Sequence, residues 1–297
     1  MKQVQKIAIL FFSLGMVACG RTYAANSRTK PARPTEIGMH QSIPLKIYHE
    51  FLVVAEGQFG AVQGAQNFIL DTGTAPSIIN SKLVRDLGLT TRATTMQVIG
   101  KAAESQTTIL PELDLGPIRA VSLPVHVQDL SPLERELGIP VAGILGLDLL
   151  SKSNFRLDYE KKRLDFGDTP EDGIRAPFDA RTGIAVIAVK VEGKTARMLV
   201  DTGTDCVTLL GGNFKGTRWL VLQSTTQKGS SLVDHEMGVE VFFSPDIVMG
   251  ELHFTPQKAY FVPGSTDAAF DGLLGVRALG FHAIAYNQAR GAIYLQK

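Results

Sequence analysis

Two short stretches of this 297-residue chain carry the same acidic signature. Phe68-Ile69-Leu70-Asp71-Thr72-Gly73-Thr74 and Met198-Leu199-Val200-Asp201-Thr202-Gly203-Thr204 each set three apolar residues before Asp-Thr-Gly-Thr. An apolar run that ends in Asp reads as a buried strand delivering a carboxylate at the tip of a rigid element. The glycine behind it lacks a Cβ, so another backbone or a substrate can come close, and its N–H can hold a carboxylate. Brought face to face at about 3 Å, with an effective dielectric near 20, two carboxylates repel by about 5.5 kcal/mol, or about 4 pKa units. They cannot ionise together. One proton is shared and the pair titrates as a unit. The ionised member can take a proton from water while the protonated member donates to a carbonyl oxygen. Such a pair assembles a general base, a general acid and an attacking water without a metal or covalent intermediate. The competing reading is a pair of turn-forming Asp residues in a binding protein.

The elements that must position these carboxylates are also written twice. Gly143-Ile144-Leu145-Gly146 follows the first Asp, and Gly272-Leu273-Leu274-Gly275 follows the second, with nearly equal spacing. Each is followed by a hairpin-like pattern with a polar turn, Phe155 to Phe166 and Ala283 to Leu295. A repeat of about 130 residues is too long for a solenoid and implies two similar domains about a pseudo-twofold axis. β-branched runs at Phe51–Val54, Val121–Val127, Ile184–Val191 and Val239–Phe243 read as strands. Short helices are expected over Asn80–Leu87, with Asn80 as cap, and after each glycine signature, at Asp148–Ser153 and Val276–Gly280. The Gly-, Pro- and Asp-rich stretch from Gly167 to Arg181 separates the halves.

Taken together, the paired Asp-Thr-Gly-Thr and Gly-apolar-apolar-Gly elements resemble the aspartic proteases, over about residues 45–297. The short halves are more like retroviral-type lobes fused in tandem than the longer pepsin lobes. The resemblance implies an all-β bilobal fold, with a lobe at 45–168, a linker at 169–180 and a lobe at 181–297. It implies Asp71 and Asp201 as the catalytic pair, supported by Gly73 and Gly203. Thr72 and Thr202 would interlock across the lobes, and Thr74 and Thr204 would bond the outer carboxylate oxygens. Asp205 matches a position that contacts substrate backbone, where the first half has Ala75. Flap hairpins would lie at Met96–Thr108 around Gly100 and Thr226–Asp234 around Gly229. The family's Arg after the glycine signature is replaced by Leu147 and Val276, with Arg277 one place on. The implied activity is endopeptidase cleavage of a peptide or protein by a monomer without a cofactor. The alternative is a peptide- or envelope-binding lipoprotein that uses the same cleft without catalysis.

The N-terminus reads as an address. Lys2 and Lys6 precede an apolar run, Ile7 to Leu14, shorter than the roughly 20 residues of a membrane-spanning helix. Met16-Val17-Ala18-Cys19-Gly20 resembles a bacterial lipobox, which implies a signal at 1–18, a lipid on Cys19 and a membrane-anchored protein exported to the cell envelope or periplasm. Ordinary cleavage near Ala24 or Ala25 is the alternative. Residues 19–44, with scattered Arg, Pro, Ser and Thr, read as a tether.

Other chemistries lack support. A formal net charge of +1, from 30 Lys+Arg and 29 Asp+Glu, excludes an obvious electrostatic nucleic-acid binder. A hydrophobic fraction of 44% excludes a mostly disordered chain. Two cysteines make no disulfide framework, and Cys206 is expected as a small buried hydrophobe. The six histidines have no metal spacing. Trp219 and Phe214 are expected to pack rather than line a pocket.

Overall fold

A computed structural model describes residues 9–11, 41–59, 62, 64–98, 101–179, 183–214, 225–231, 237–242, 245–255, 259–262, 267 and 269–297. The chain is all-β, built on two large sheets with short helical connections. The sequence repeat is a structural repeat. In the first half, the strands Leu52–Gly57, Gln66–Leu70, Gly143–Leu145, Ile78–Asn80, Ile118–Gln128, Lys101–Leu115 and Arg92–Val98 lie side by side in that order. In the second half the same order recurs as Val186–Val191, Lys194–Asp201, Gly272–Gly275, Val207–Leu210, Ala259–Val262, Met237–Phe242 and Thr225–Ser231.

The core of each half is one parallel and one antiparallel contact around the glycine signature. Gly143–Leu145 runs parallel to Phe68–Leu70 and antiparallel to Ile78 and Ile79. Gly272–Gly275 runs parallel to Met198–Asp201 and antiparallel to Val207–Leu209. The strand that carries each Asp is therefore flanked by the strand that closes its own half. All of these residues are buried, and all but Asp201 and Thr208 are apolar, as fits strands covered on both faces.

The two closing hairpins pair with each other. Phe155–Asp158 is antiparallel to Ala283–Asn287, with Phe155 opposite Tyr286 and their rings stacked 4.6 Å apart. On one side Arg163–Phe166 and then Gln41–Tyr48 extend this sheet; on the other, Ala292–Gln296 and Ile174–Pro177. One continuous sheet thus draws strands from both halves. Two boundaries differ from the sequence reading. Residues 41–44, placed in the tether, belong to a strand, and Ile174–Pro177, inside the expected linker, is an edge strand on the last strand of the chain. A proline is tolerated there because an edge strand need not donate on its outer side.

The expected helices occur in shortened form. Asn80 caps Ser81–Asp86, its Oδ1 accepting from the Lys82 N–H at 3.1 Å. Leu147–Leu150 follows the first glycine signature, and a single 3₁₀ turn, Arg277–Leu279, follows the second. A further helix, Ser131–Leu137, opens with Pro132 and ends on the left-handed Gly138. Among the described residues no helix is long and apolar enough to cross a membrane. Phe214 is buried in the core as expected, and Trp219 lies outside the described residues.

Candidate active site

Each Asp-Thr-Gly-Thr loop begins where its apolar strand ends, and both carboxylates are buried, Asp71 at 1% and Asp201 at 0% exposure. The Gly73 N–H donates to Asp71 Oδ1 at 2.8 Å, and the Gly203 N–H to Asp201 Oδ1 at 2.7 Å. The same glycines bring the loops together. A Cβ on Gly73 would lie 2.6 Å from Asp201 Cγ, and one on Gly203 would lie 2.7 Å from Asp71 Cγ. Each carboxyl therefore rests on the other loop's glycine, and only glycine permits the approach.

Thr72 and Thr202 lock the loops through four hydrogen bonds. Thr72 N–H donates to Thr202 Oγ1 and Thr202 N–H to Thr72 Oγ1, both at 3.1 Å. The hydroxyls then cross over. Thr72 Oγ1 donates to Val200 O at 3.0 Å, and Thr202 Oγ1 to Leu70 O at 3.1 Å. All of these groups are buried, so every bond also satisfies a polar atom that has no access to water.

The glycine signature supports each loop from below. The Leu147 N–H donates to Thr74 O at 3.0 Å, and a Cβ on Gly146 would sit 1.9 Å from that oxygen. In the second half a Cβ on Gly275 would meet Cys206 O at 2.6 Å. The supports differ in their polar partners. Asp148 accepts from Ser77 N at 3.0 Å and from Ser77 Oγ at 2.7 Å, and Ser77 Oγ accepts from the Gly146 N–H. At the matching place Arg277 donates to Phe281 O and Glu50 O, with its guanidinium over the Tyr159 ring. No Arg stands directly behind the signature, and neither support repeats the arrangement the family resemblance implied.

The outer carboxylate oxygens are not equivalent. Thr74 Oγ1 donates to Asp71 Oδ2 at 2.7 Å, as expected. Thr204 does not do the same for Asp201. Its Oγ1 is paired with Cys206 Sγ at 3.1 Å, and Asp201 Oδ2 is buried with no hydrogen-bond partner among the described residues. The role expected of Thr204 is therefore corrected: its hydroxyl oxygen pairs with the thiol two residues on, in which either atom can donate, and not with Asp201. Burial raises both carboxyls above the usual range. For Asp71 the hydrogen bonds from Thr74, Asp201 and Gly73 hold the rise back. For Asp201 the Asp71 charge and the hydrogen bond shared with Asp71 add to burial, only the Gly203 N–H opposes them, and the group is held well above a normal carboxylate.

Asp205 follows directly and is partly exposed, facing Cys206 and Tyr260. The first candidate flap is a hairpin, Arg92–Val98 against Lys101–Leu115, with Val98 opposite Lys101; Gly100 itself lies outside the described residues. In the second half Gly229 sits inside a ladder, opposite Met237, so it is not the turn of that hairpin. Gly229 read as a tip because glycine marks turns, but the hairpin is longer than its polar residues suggest. Cys19 lies outside the described residues. Two buried groups near the pair had no signal in the sequence. Tyr159, whose hydroxyl has no partner among the described residues, and Tyr286, whose hydroxyl lies by Thr72, both feel the charges of Asp71 and Asp201.

Residues 57–149 match the family model described as aspartyl protease. The matched stretch contains the first Asp-Thr-Gly-Thr loop, the candidate flap hairpin and the first glycine signature, and it supports the aspartic protease family. No curated protein matches the chain.

Proposed function

We propose that the protein is an exported aspartic endopeptidase, held at the cell envelope by a lipid on Cys19. The observation that carries the reading is the mutual contact of the two loops, in which each buried carboxyl lies on the other loop's glycine. The family match supports protease activity for the first half, and the repeated strand order extends the same architecture to the second. A peptide lies extended between the halves and pairs its backbone with the hairpin strands. A water held between the carboxyls loses a proton to the ionised member and attacks the scissile carbonyl carbon. The protonated member donates to the carbonyl oxygen. The resulting gem-diol collapses as the amine leaves with a proton, and the pair returns to sharing one. Asp205, partly exposed beside the second loop, accepts from substrate backbone in this reading.

The test is cleavage of a mixed peptide library from about pH 3 to 7 by the purified chain, beside Asp71→Asn and Asp201→Asn. Both variants keep side-chain volume and should lose cleavage by at least about a thousandfold while remaining folded. Retained cleavage by Asp71→Asn refutes the mechanism. A folded wild type that binds peptides and cuts none favours the envelope-binding alternative. Anchoring is checked separately, by the mass of the mature N-terminal peptide and by release of Cys19→Ala from the membrane fraction.

A further inference from the structure

We infer that Cys206 is a positioning residue: by holding the Thr204 hydroxyl it leaves Asp201 as the carboxyl that carries the shared proton, and it sets the upper pH limit of the pair. The inference rests on the protease reading for its functional meaning, but its physical content concerns the two carboxyls alone.

The chain contains its own control. The two loops share Asp-Thr-Gly-Thr, and the glycine N–H bond to the inner oxygen is the same in both within 0.1 Å, at 2.8 and 2.7 Å. They diverge at the next two places, Ala75 against Asp205 and Pro76 against Cys206, and of these it is the second that meets the threonine hydroxyl in the second loop. A proline side chain offers no hydrogen-bonding atom, and there Thr74 gives its hydroxyl to Asp71 Oδ2. A thiol is both a weak donor and a weak acceptor. Cys206 Sγ lies 3.1 Å from Thr204 Oγ1 and 3.5 Å from Thr208 Oγ1, so it links two hydroxyls in a buried row. Asp201 Oδ2 is left with no donor.

A buried carboxylate oxygen without a donor is costly as an anion. A proton on Asp201 removes the cost twice, because it neutralises the group and serves as the donor in the hydrogen bond the two carboxyls share. Asp71, with a hydroxyl and an N–H already in place, is the better anion. The unequal loops therefore divide the labour. Asp71 is the base, and Asp201 is the acid.

The titratable groups that face Asp201 are Asp71, the Tyr159 and Tyr286 hydroxyls, and Cys206 with Asp205 beside it. Burial pushes both tyrosines up and the thiol to about 12, so none of the three ionises in the working range. Asp205 is common to every variant below.

The experiment compares the wild type with Cys206→Ala, Cys206→Ser and the double variant Cys206→Ala/Thr204→Val. The upper limb of the pH–cleavage profile is measured together with ¹³C-NMR titration of the labelled Asp carboxyl carbons. In Cys206→Ala the Thr204 hydroxyl turns to Asp201 Oδ2, as Thr74 does on Asp71. The charged form gains a donor, and the upper limb falls by about 1–2 pH units, the worth of one hydrogen bond to a charged group. Cys206→Ser keeps a partner for Thr204 and stays near the wild-type limb. The double variant has no hydroxyl to give and returns there too. An unmoved limb in Cys206→Ala, or a double variant that stays shifted, overturns the inference. Should Cys206→Ala fold poorly, Thr204→Val alone decides: its upper limb stays in place, and an upward shift would mean that Thr204 already served Asp201. The carboxyl titration reads the outcome even where no peptide is cut, so loss of the protease reading and loss of this inference are distinguishable.

Discussion

Replacing Thr72 tests whether the two halves are held by hydroxyl bonds or by packing. Thr72→Val keeps volume almost unchanged but removes Oγ1, and with it two of the four bonds of the lock. The Thr202 N–H and the Val200 carbonyl lose these partners in a region where Thr72 and Thr202 are both 0% exposed. An orphaned buried N–H costs about 1–3 kcal/mol. A carbonyl retains a second lone pair and costs less, so the expected loss is about 2–4 kcal/mol. Thr72→Ser makes the opposite trade. It keeps both hydroxyl bonds and removes one buried methyl, a loss of about 1 kcal/mol. The order of stability is therefore wild type, then Ser, then Val, although Val is the closer match in shape. With a urea slope of about 3 kcal/mol/M, the Val variant shifts the midpoint by about 1 M and the Ser variant by about a third of that. Thr202→Val orphans a different set, the Leu70 carbonyl and the Thr72 N–H, and because the two threonines are bonded partners in one lock the double variant should depart from the sum of the two. Urea midpoints read by fluorescence and by hydrogen exchange at the strand ends supply the measurement. Equal midpoints for Val and Ser, or a Val variant as stable as wild type, would show that packing alone holds the loops and refute the argument.

Two further outcomes follow from the same geometry. Gly73→Ala places a methyl 2.6 Å from both Asp201 Cγ and Oδ2; because the obstacle is a buried carboxyl locked between two loops, cleavage should fall by at least about a hundredfold and the melting temperature should drop, read by kcat and by calorimetry. Asp201→Asn should gain stability as it loses activity: the folded carboxyl sits well above its ordinary value of 3.8, so the native site is favoured at low pH and penalised as pH rises from about 4 through the folded value. The variant's melting advantage should accordingly be near zero at pH 3 and grow toward pH 7, and a constant or falling advantage counts against a buried, proton-sharing pair.

Much of the fold was legible because its determinants are local. Phe68–Leu70 and Met198–Val200 are apolar, uninterrupted and followed by Asp-Thr-Gly, which fixes a buried strand and a carboxylate at its end. The glycine signatures were visible as spacing, and their reason emerged only in three dimensions: Gly146 and Gly275 pass under backbone carbonyls that leave no room for a Cβ. Asn80 announced its helix because capping is a side-chain property of one residue. What stayed hidden depends on distant partners. Nothing in Phe155–Asp158 says that it will pair with Ala283–Asn287 as well as with Arg163–Phe166 of its own half. Ile174–Pro177 looks like punctuation because its Gly and Pro neighbours are local, while the strand it joins lies at the other end of the chain. Thr204 read as a copy of Thr74 because the four-residue motifs are identical, and a competition for one hydroxyl is decided by the atom nearest to it.

That last case bears on how one sequence repeat can perform two chemical roles. Identical loops related by a twofold axis would have degenerate carboxyls, and the proton would sit equally on either. Here the degeneracy is lifted outside the motif, by Pro76 against Cys206 and by Ser77–Asp148 against Val207–Arg277. The shared elements do what symmetry requires: the threonines lock the halves, and the glycines bring each carboxyl onto the opposite loop. The unshared ones act on the outer oxygens and on the strand beneath, where a change alters donors without moving the carboxyls apart. Stability and chemistry are thereby separated by position. Substitution of Thr72 or Gly73 disturbs both, whereas substitution of Cys206 alters the proton's preference while the four-bond lock persists. A protein built this way can adjust its working pH through one buried neighbour and keep the architecture that brings the two acids together.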